Sequence, residues 1–205
     1  MYISRIAKDG REQQTKQHLY ESAEYAYHIG KKFMVPEICS MSTLFHDVGK
    51  LTSEFVVYLR NSHISETLGK KDIRRGSVIH STQGAKYLYK TQTDDRDFIA
   101  ALVREISAIC IAGHHGGLTD GITPSGEIPL REKLEKENDD LHYSEAIKVA
   151  EEYGISANIM SGSFRRCVDE LEAFIKKCKE NELNVAFMLH LLTKSIFSSL
   201  VDSDR

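Results

Sequence analysis

The sequence predicts an all-α helical fold, on three observations. Apolar residues recur at three- and four-residue spacing over most of the chain. Only three prolines, Pro36, Pro124 and Pro129, punctuate its 205 residues. No repeat, low-complexity run or Pro/Gly-rich linker divides it, so residues 1–205 read as a single domain. That length can bury a sizeable core without disulfide or metal staples. With 41% apolar and 28% charged residues, the composition is that of an ordinary globular chain and excludes extended disorder.

Taken in order, Tyr2-Ile3-Ser4-Arg5-Ile6 is short and partly β-branched, and Asp9-Gly10 is a turn signal, so a small N-terminal hairpin is expected. From Thr15 to Phe33 the period becomes helical, with Leu19, Ala23, Ala26 and Tyr27 on one face. Pro36 suits the first turn of a second helix that points Ile38, Met41, Leu44 and Phe45 inward. Ser53–Asn61 reads as a shorter helix. Residues 60–76 read as a loop with a net of three positive charges, from Arg60, Lys70, Lys71, Arg74 and Arg75 against Glu66 and Asp72.

Helices are expected again over Ser77–Lys90 and Asp94–Ala112. A glycine-rich turn and a loop then lead to Pro129. Glu132–Leu141 is highly charged and reads as solvated. Tyr143–Tyr153 and Ser163–Glu180 are amphipathic. Asn184–Val201 is apolar on nearly all sides, which predicts a central buried helix.

The net charge of −3 excludes a globally basic nucleic-acid binder but leaves room for a local basic patch. Cys39, Cys110, Cys167 and Cys178 form no Cys-x-x-Cys pair and read as reduced, packed thiols. No apolar run suggests a membrane span and the first residues lack a signal-peptide core, so a cytoplasmic location with no membrane partner is expected.

Histidine placement carries the chemistry. His46-Asp47 closes an apolar helix. Adjacent residues on a helix project about 100° apart, so both reach one point only where the helix ends, and Gly49 supplies an ending. His18 lies within the first helix, His80 near the start of a later one, and His114-His115 where a long apolar helix meets glycines. Asp202 and Asp204 close the last helix. Five imidazoles with two or more carboxylates suit a transition metal, Mn, Fe, Co, Ni or Zn, better than Mg or Ca. Seven ligands exceed the need of one ion and point to two, bridged by a carboxylate. His28, His63, His142 and His190 belong to no motif and read as structural or surface residues, His190 as a core histidine.

The stretches Tyr2-Ile3, Asp9-Gly10-Arg11, Gln17-His18-Leu19, Leu44-Phe45-His46-Asp47-Val48-Gly49-Lys50, Val78-Ile79-His80-Ser81, Gly113-His114-His115-Gly116-Gly117 and Ser199-Leu200-Val201-Asp202-Ser203-Asp204 together resemble the HD phosphohydrolase superfamily. In detail they resemble the HD nuclease domain of the CRISPR-associated type I nuclease–helicase, in particular its type I-C branch. The resemblance implies an HD-type helical bundle that cuts single-stranded DNA with bound transition metals. It also implies a helicase, fused or separate, and an RNA-guided surveillance complex as partners.

Carried over residue by residue, it implies one metal on His18, His46, Asp47 and the terminal Asp, and a second on Asp47, His80, His114 and His115. Asp204, in Ser203-Asp204-Arg205, fits the family pattern for the terminal Asp better than Asp202. Asp47 and Lys50 would be catalytic, Lys50 meeting charge on the phosphate. Lys50, Ser81, Lys70, Lys71, Arg74 and Arg75 would bind the strand. The competing reading is an HD phosphohydrolase acting on free or cyclic nucleotides. The doubled His114-His115 and the match at both ends of the chain weigh against it, and no Gly-Tyr-Pro motif of the cyclic-dinucleotide branch is present.

Overall fold

The computed structural model describes residues 1–69, 76–90, 97–135, 141–155 and 157–205, the side chains of 157–161 excepted. The expected hairpin is present. Strand β1 (Ile3–Ile6) pairs antiparallel with β2 (Glu12–Gln14), and Gly10 takes the left-handed φ of 85° that the turn requires. Ile3 is fully buried and anchors the hairpin on the helices. Everything else in regular structure among the described residues is helical, as the periodicity predicts.

Helix α1 spans Thr15–Gly30 and continues as a 3₁₀ turn through Phe33, ended by Met34 at φ 64°. Helix α2 (Pro36–Phe45) starts on Pro36 as expected. It packs against α1 along its length, and also against α4 (Gln83–Lys90), α5 (Phe98–Gly113), α8 (Ala157–Glu180) and α9 (Val185–Ser203). Ile38, Met41 and Phe45 are buried by these neighbours, and Leu44 is half-buried. Helix α2 is therefore the axis of the bundle, and whatever follows Phe45 emerges inside the protein.

Several boundaries differ from expectation. Helix α3 runs Ser53–Thr67, so residues 60–67 are helical rather than loop. The Thr52 hydroxyl accepts from the Phe55 N–H and sets its start. Lys70, Lys71, Arg74 and Arg75 lie outside the described residues. Residues 77–82 are not helical; α4 begins only at Gln83, which leaves His80 and Ser81 on an irregular segment. In the charged stretch Glu132 and Glu135 are exposed as expected and 136–140 lie outside the described residues, but its leucines are covered. Pro129–Leu134 is helix α6, with Leu130, Leu134 and the later Leu141 buried. Helix α7 (Tyr143–Glu152) is as expected, and α8 starts six residues before the expected Ser163.

The largest correction concerns α9. Its Leu192, Ile196 and Leu200 enter the core, but Phe187 is 59% and Leu191 41% exposed, and His190 is exposed. It is a peripheral helix with one buried stripe. Composition alone counts apolar residues without saying how many neighbours cover them. Among the described residues it is also the one helix long and apolar enough, by length and composition, to cross a membrane. The four cysteines are free and buried, as expected.

Candidate metal centre

His46 caps the C-terminus of α2, and Asp47 leaves the helix at φ −112° and ψ 22°. This break lets two adjacent side chains face one point. Both are fully buried. Val48–Lys50 then forms a 3₁₀ turn that seats Gly49 against the His80 backbone and the Gln83 side chain, leaving no room for a Cβ. His114 repeats the arrangement of His46 at the end of α5. Each ring donates its Nδ1–H to a carbonyl three residues back, His46 to Thr43 at 2.5 Å and His114 to Ile111 at 2.7 Å. Those carbonyls are among the orphan acceptors of a helix end.

His80 donates Nδ1–H to Val78 O at 3.0 Å and rests its ring edge on Phe55. Gln83 holds that segment by donating to Ile79 O and Leu141 O. His18 sits one turn before Ser22, whose hydroxyl lies 3.4 Å from Nδ1. With Nδ1 of His46, His80 and His114 committed as donors, Nε2 is the ring atom that each can offer a metal once it carries no proton.

The Nε2 atoms converge on Asp47. His18 and His46 lie 3.2 and 3.1 Å from Asp47 Oδ2, and both lie 3.2 Å from Asp204 Oδ1. On the other side, His114 and His80 lie 3.6 and 4.0 Å from Asp47 Oδ1, and His115 Nε2 is 2.6 Å from His80 Nε2. Two four-residue clusters result, one of His18, His46, Asp47 and Asp204, the other of Asp47, His80, His114 and His115. Within each, the ligand atoms lie inside 4.8 Å of one another.

All seven residues singled out as ligands from the sequence are thus brought together. Asp202 is not; it is exposed and lies 4.0 Å from Arg205. Lys50 is buried and its ammonium lies 2.5 Å from Asp47 Oδ2. Ser81 is half-buried and stands outside both clusters. The supporting groups Thr43, Ile111, Val78, Phe55 and Gln83 were not singled out from the sequence. For Thr43 and Ile111 a signal existed, since each lies three residues before a histidine that ends a helix.

The electrostatics differ between the clusters. Burial pushes the His46 pKa down, but Asp47 and Asp204 outweigh it and raise it to about 9. Burial alone would raise Asp47, yet the nearby His46, Lys50, His114 and His18 hold it well below the usual carboxylate range. Asp204 is also lowered: burial is overcome by its bonds to His18 and His46. In the second cluster burial lowers His80 against the pull of Asp47. Burial with His114 and His80 takes His115 down to about 4. Those two imidazoles are neutral at pH 7 and need lose no proton to bind a cation.

A family model of the HD domain matches residues 15–155. The chain belongs to the HD domain family. None of the curated proteins searched matches it. The HD domain implies a metal-dependent phosphohydrolase, and two orphaned atoms test that implication. Asp47 Oδ1 and His114 Nε2 are buried and have no hydrogen-bond partner. Such groups are expensive to leave unpaired, and a divalent cation between them satisfies both. The residues fit a metal. Asp204 and the hairpin lie outside the matched HD residues, yet Asp204 completes the first cluster.

Proposed function

We propose that this HD domain is a metal-dependent nuclease that hydrolyses phosphodiester bonds of single-stranded DNA in type I CRISPR interference, with two divalent transition metals sharing Asp47. The observation that carries the reading is the division of the Asp47 carboxylate. Oδ2 faces His18, His46 and Asp204, and Oδ1 faces His80, His114 and His115. One carboxylate with an oxygen toward each of two imidazole sets is what a bridged two-ion centre needs. The motifs at both ends of the chain support DNA as substrate over a free nucleotide.

When bound, the two ions supply a water of near-neutral pKa and offset charge on the phosphoryl oxygens. The remaining chemistry belongs to the chain. His18, His46, Asp204 and Asp47 would hold one ion, and Asp47, His80, His114 and His115 the other. Mixed imidazole and carboxylate donors select Mn, Fe, Co, Ni or Zn over Mg. Lys50, now neutralising Asp47, stands ready to offset charge on the attacked phosphate. Ser81, Lys70, Lys71, Arg74 and Arg75 would grip the strand through its phosphates, without reading sequence. A helicase and an RNA-guided surveillance complex would deliver that strand.

The test is cleavage of circular single-stranded DNA by metal-stripped protein, with Mn, Fe, Co, Ni, Zn and Mg added singly, beside Asp47→Ala. Nicking by the wild type alone, with transition metals above Mg, is expected. Release of product from free or cyclic nucleotides with no DNA cleavage would replace this reading with the small-molecule phosphohydrolase.

A further inference from the structure

Asp204 is unlike the other ligands. His46 and His114 cap helices whose ends are walled in by the core, whereas Asp204 follows the last turn of a peripheral helix. Helix ends fray, and their last carbonyls have no partner within the helix. A frayed last turn would carry Asp204 Oδ1 away from His18 and His46.

The end of α9 is pinned from the other end of the sequence. Arg5, on β1, donates from Nη2 to Asp204 O at 3.1 Å and from Nη1 to Arg205 O at 3.0 Å. The planar guanidinium thus engages two successive carbonyls, and a cation there also complements the negative end of the helix. The strand that carries Arg5 is anchored to the helices. Ile3 in the same strand is fully buried, and the Thr15 N–H donates to Tyr2 O where the hairpin runs into α1. Three residues further along α1 lies His18. The hairpin is therefore tied to His18 through the chain and to Asp204 through Arg5, and those two residues face each other across 3.2 Å.

We infer that Arg5 is a positioning residue for the metal centre: its guanidinium clamps the last turn of α9 and thereby holds Asp204 in register with His18 and His46. The hairpin acts as a brace across the first cluster. The second cluster takes no ligand from α9 or the hairpin. The inference rests on the two-ion reading above.

The test is calorimetric Mn²⁺ binding to metal-stripped protein. Wild type is expected to bind two ions. Arg5→Ala should weaken the ion that depends on Asp204 by about 10- to 100-fold, the usual effect of removing a group that orients a metal ligand. It should leave the other ion at wild-type affinity, which also certifies the fold. Arg5→Lys, able to reach a single carbonyl, should recover part of the loss. Arg11→Ala, which removes a guanidinium paired among the described residues to Asp9 beside the hairpin turn, should change nothing.

In an Asp204→Ala background, Arg5→Ala should have no further effect, because its path runs through Asp204. Wild-type affinity for both ions in Arg5→Ala, or a loss that adds to that of Asp204→Ala, overturns the clamp and leaves the two-ion reading standing. A wild-type protein that takes up one ion, insensitive to Asp204→Ala, overturns that reading and the clamp with it.

Discussion

Substituting Gly84 by alanine tests how closely the metal centre depends on helix packing. Gly84 is the second residue of α4 and lies directly on the backbone carbonyl of Phe45. A Cβ there would overlap that oxygen and sit 2.9 Å from the carbonyl carbon. Neither partner is a flexible side chain, so α4 must withdraw from α2, by on the order of 1 Å to restore ordinary contact. Overpacking of this kind costs about 1–3 kcal/mol. Replacing glycine in a helix returns at most about 0.5–1 kcal/mol. The net loss is therefore about 0–2.5 kcal/mol, a fall in Tm of up to about 10 °C for a chain of this size.

The functional effect should be larger than the loss of stability. Phe45 directly precedes His46 and Asp47, and α4 directly follows the segment carrying His80. Displacement of about 1 Å in a catalytic constellation costs about 100-fold in rate. Thermal melts with parallel Mn²⁺ titration and single-strand cleavage measure both effects. Gly121→Ala is the control, since a Cβ there meets nothing within 4 Å. A Gly84→Ala protein that melts with the control and binds and cleaves as wild type would refute the argument that α4 and the end of α2 are locked together.

Metal binding should stabilise the fold. Mn²⁺ at about 100 times its Kd adds about 2.7 kcal/mol, or about 5–11 °C in Tm against a chelator blank. Asp47→Ala should lose that shift while keeping its helical circular dichroism; an equal shift in the variant would contradict the shared-carboxylate arrangement. Glu170 accepts from the Glu37 and Ile38 N–H groups at the first turn of α2, and burial pushes its pKa up from 4.5 to about 7 despite those donors. The fold thus favours its protonated form, so this contribution is full below pH 4.5 and is lost as pH rises to about 7. Glu170→Gln keeps an acceptor without the charge, and its Tm relative to wild type should climb across that window; a flat difference counts against the burial argument. His190→Ala should move stability by no more than about 0.5 kcal/mol, as for any exposed residue, and a larger loss in a denaturant melt would restore the buried reading of α9.

The helical periods, the Pro36 start of α2 and the Asp-Gly hairpin were legible because each is fixed by local chemistry. The clustering of the seven histidines and aspartates was legible because imidazoles and carboxylates at chain breaks have few other uses. Choosing Asp204 over Asp202 needed family pattern in the sequence and became geometric only when α9 was docked on α1 and α2. What local pattern could not supply was coverage. Residues 185–201 are as apolar as a core helix, but burial depends on what packs outside them, and at Phe187 and Leu191 too little does. Nor could it supply the fate of Lys50, whose burial against Asp47 follows from the 3₁₀ turn at Val48–Lys50 and not from its position in a motif.

The two clusters also differ in when they can exist. Asp47, His80, His114 and His115 are all present once residue 115 has been made, whereas the partner cluster waits for Asp204, 89 residues later. At about 5–20 residues per second of synthesis, that interval is roughly 5–18 s. On the two-ion reading, the ligands of both ions are present together only after Asp204 has been made. The centre is complete only when α9 packs back onto α1. The split of the ligands along the chain thus ties completion of the first cluster to the docking of α9.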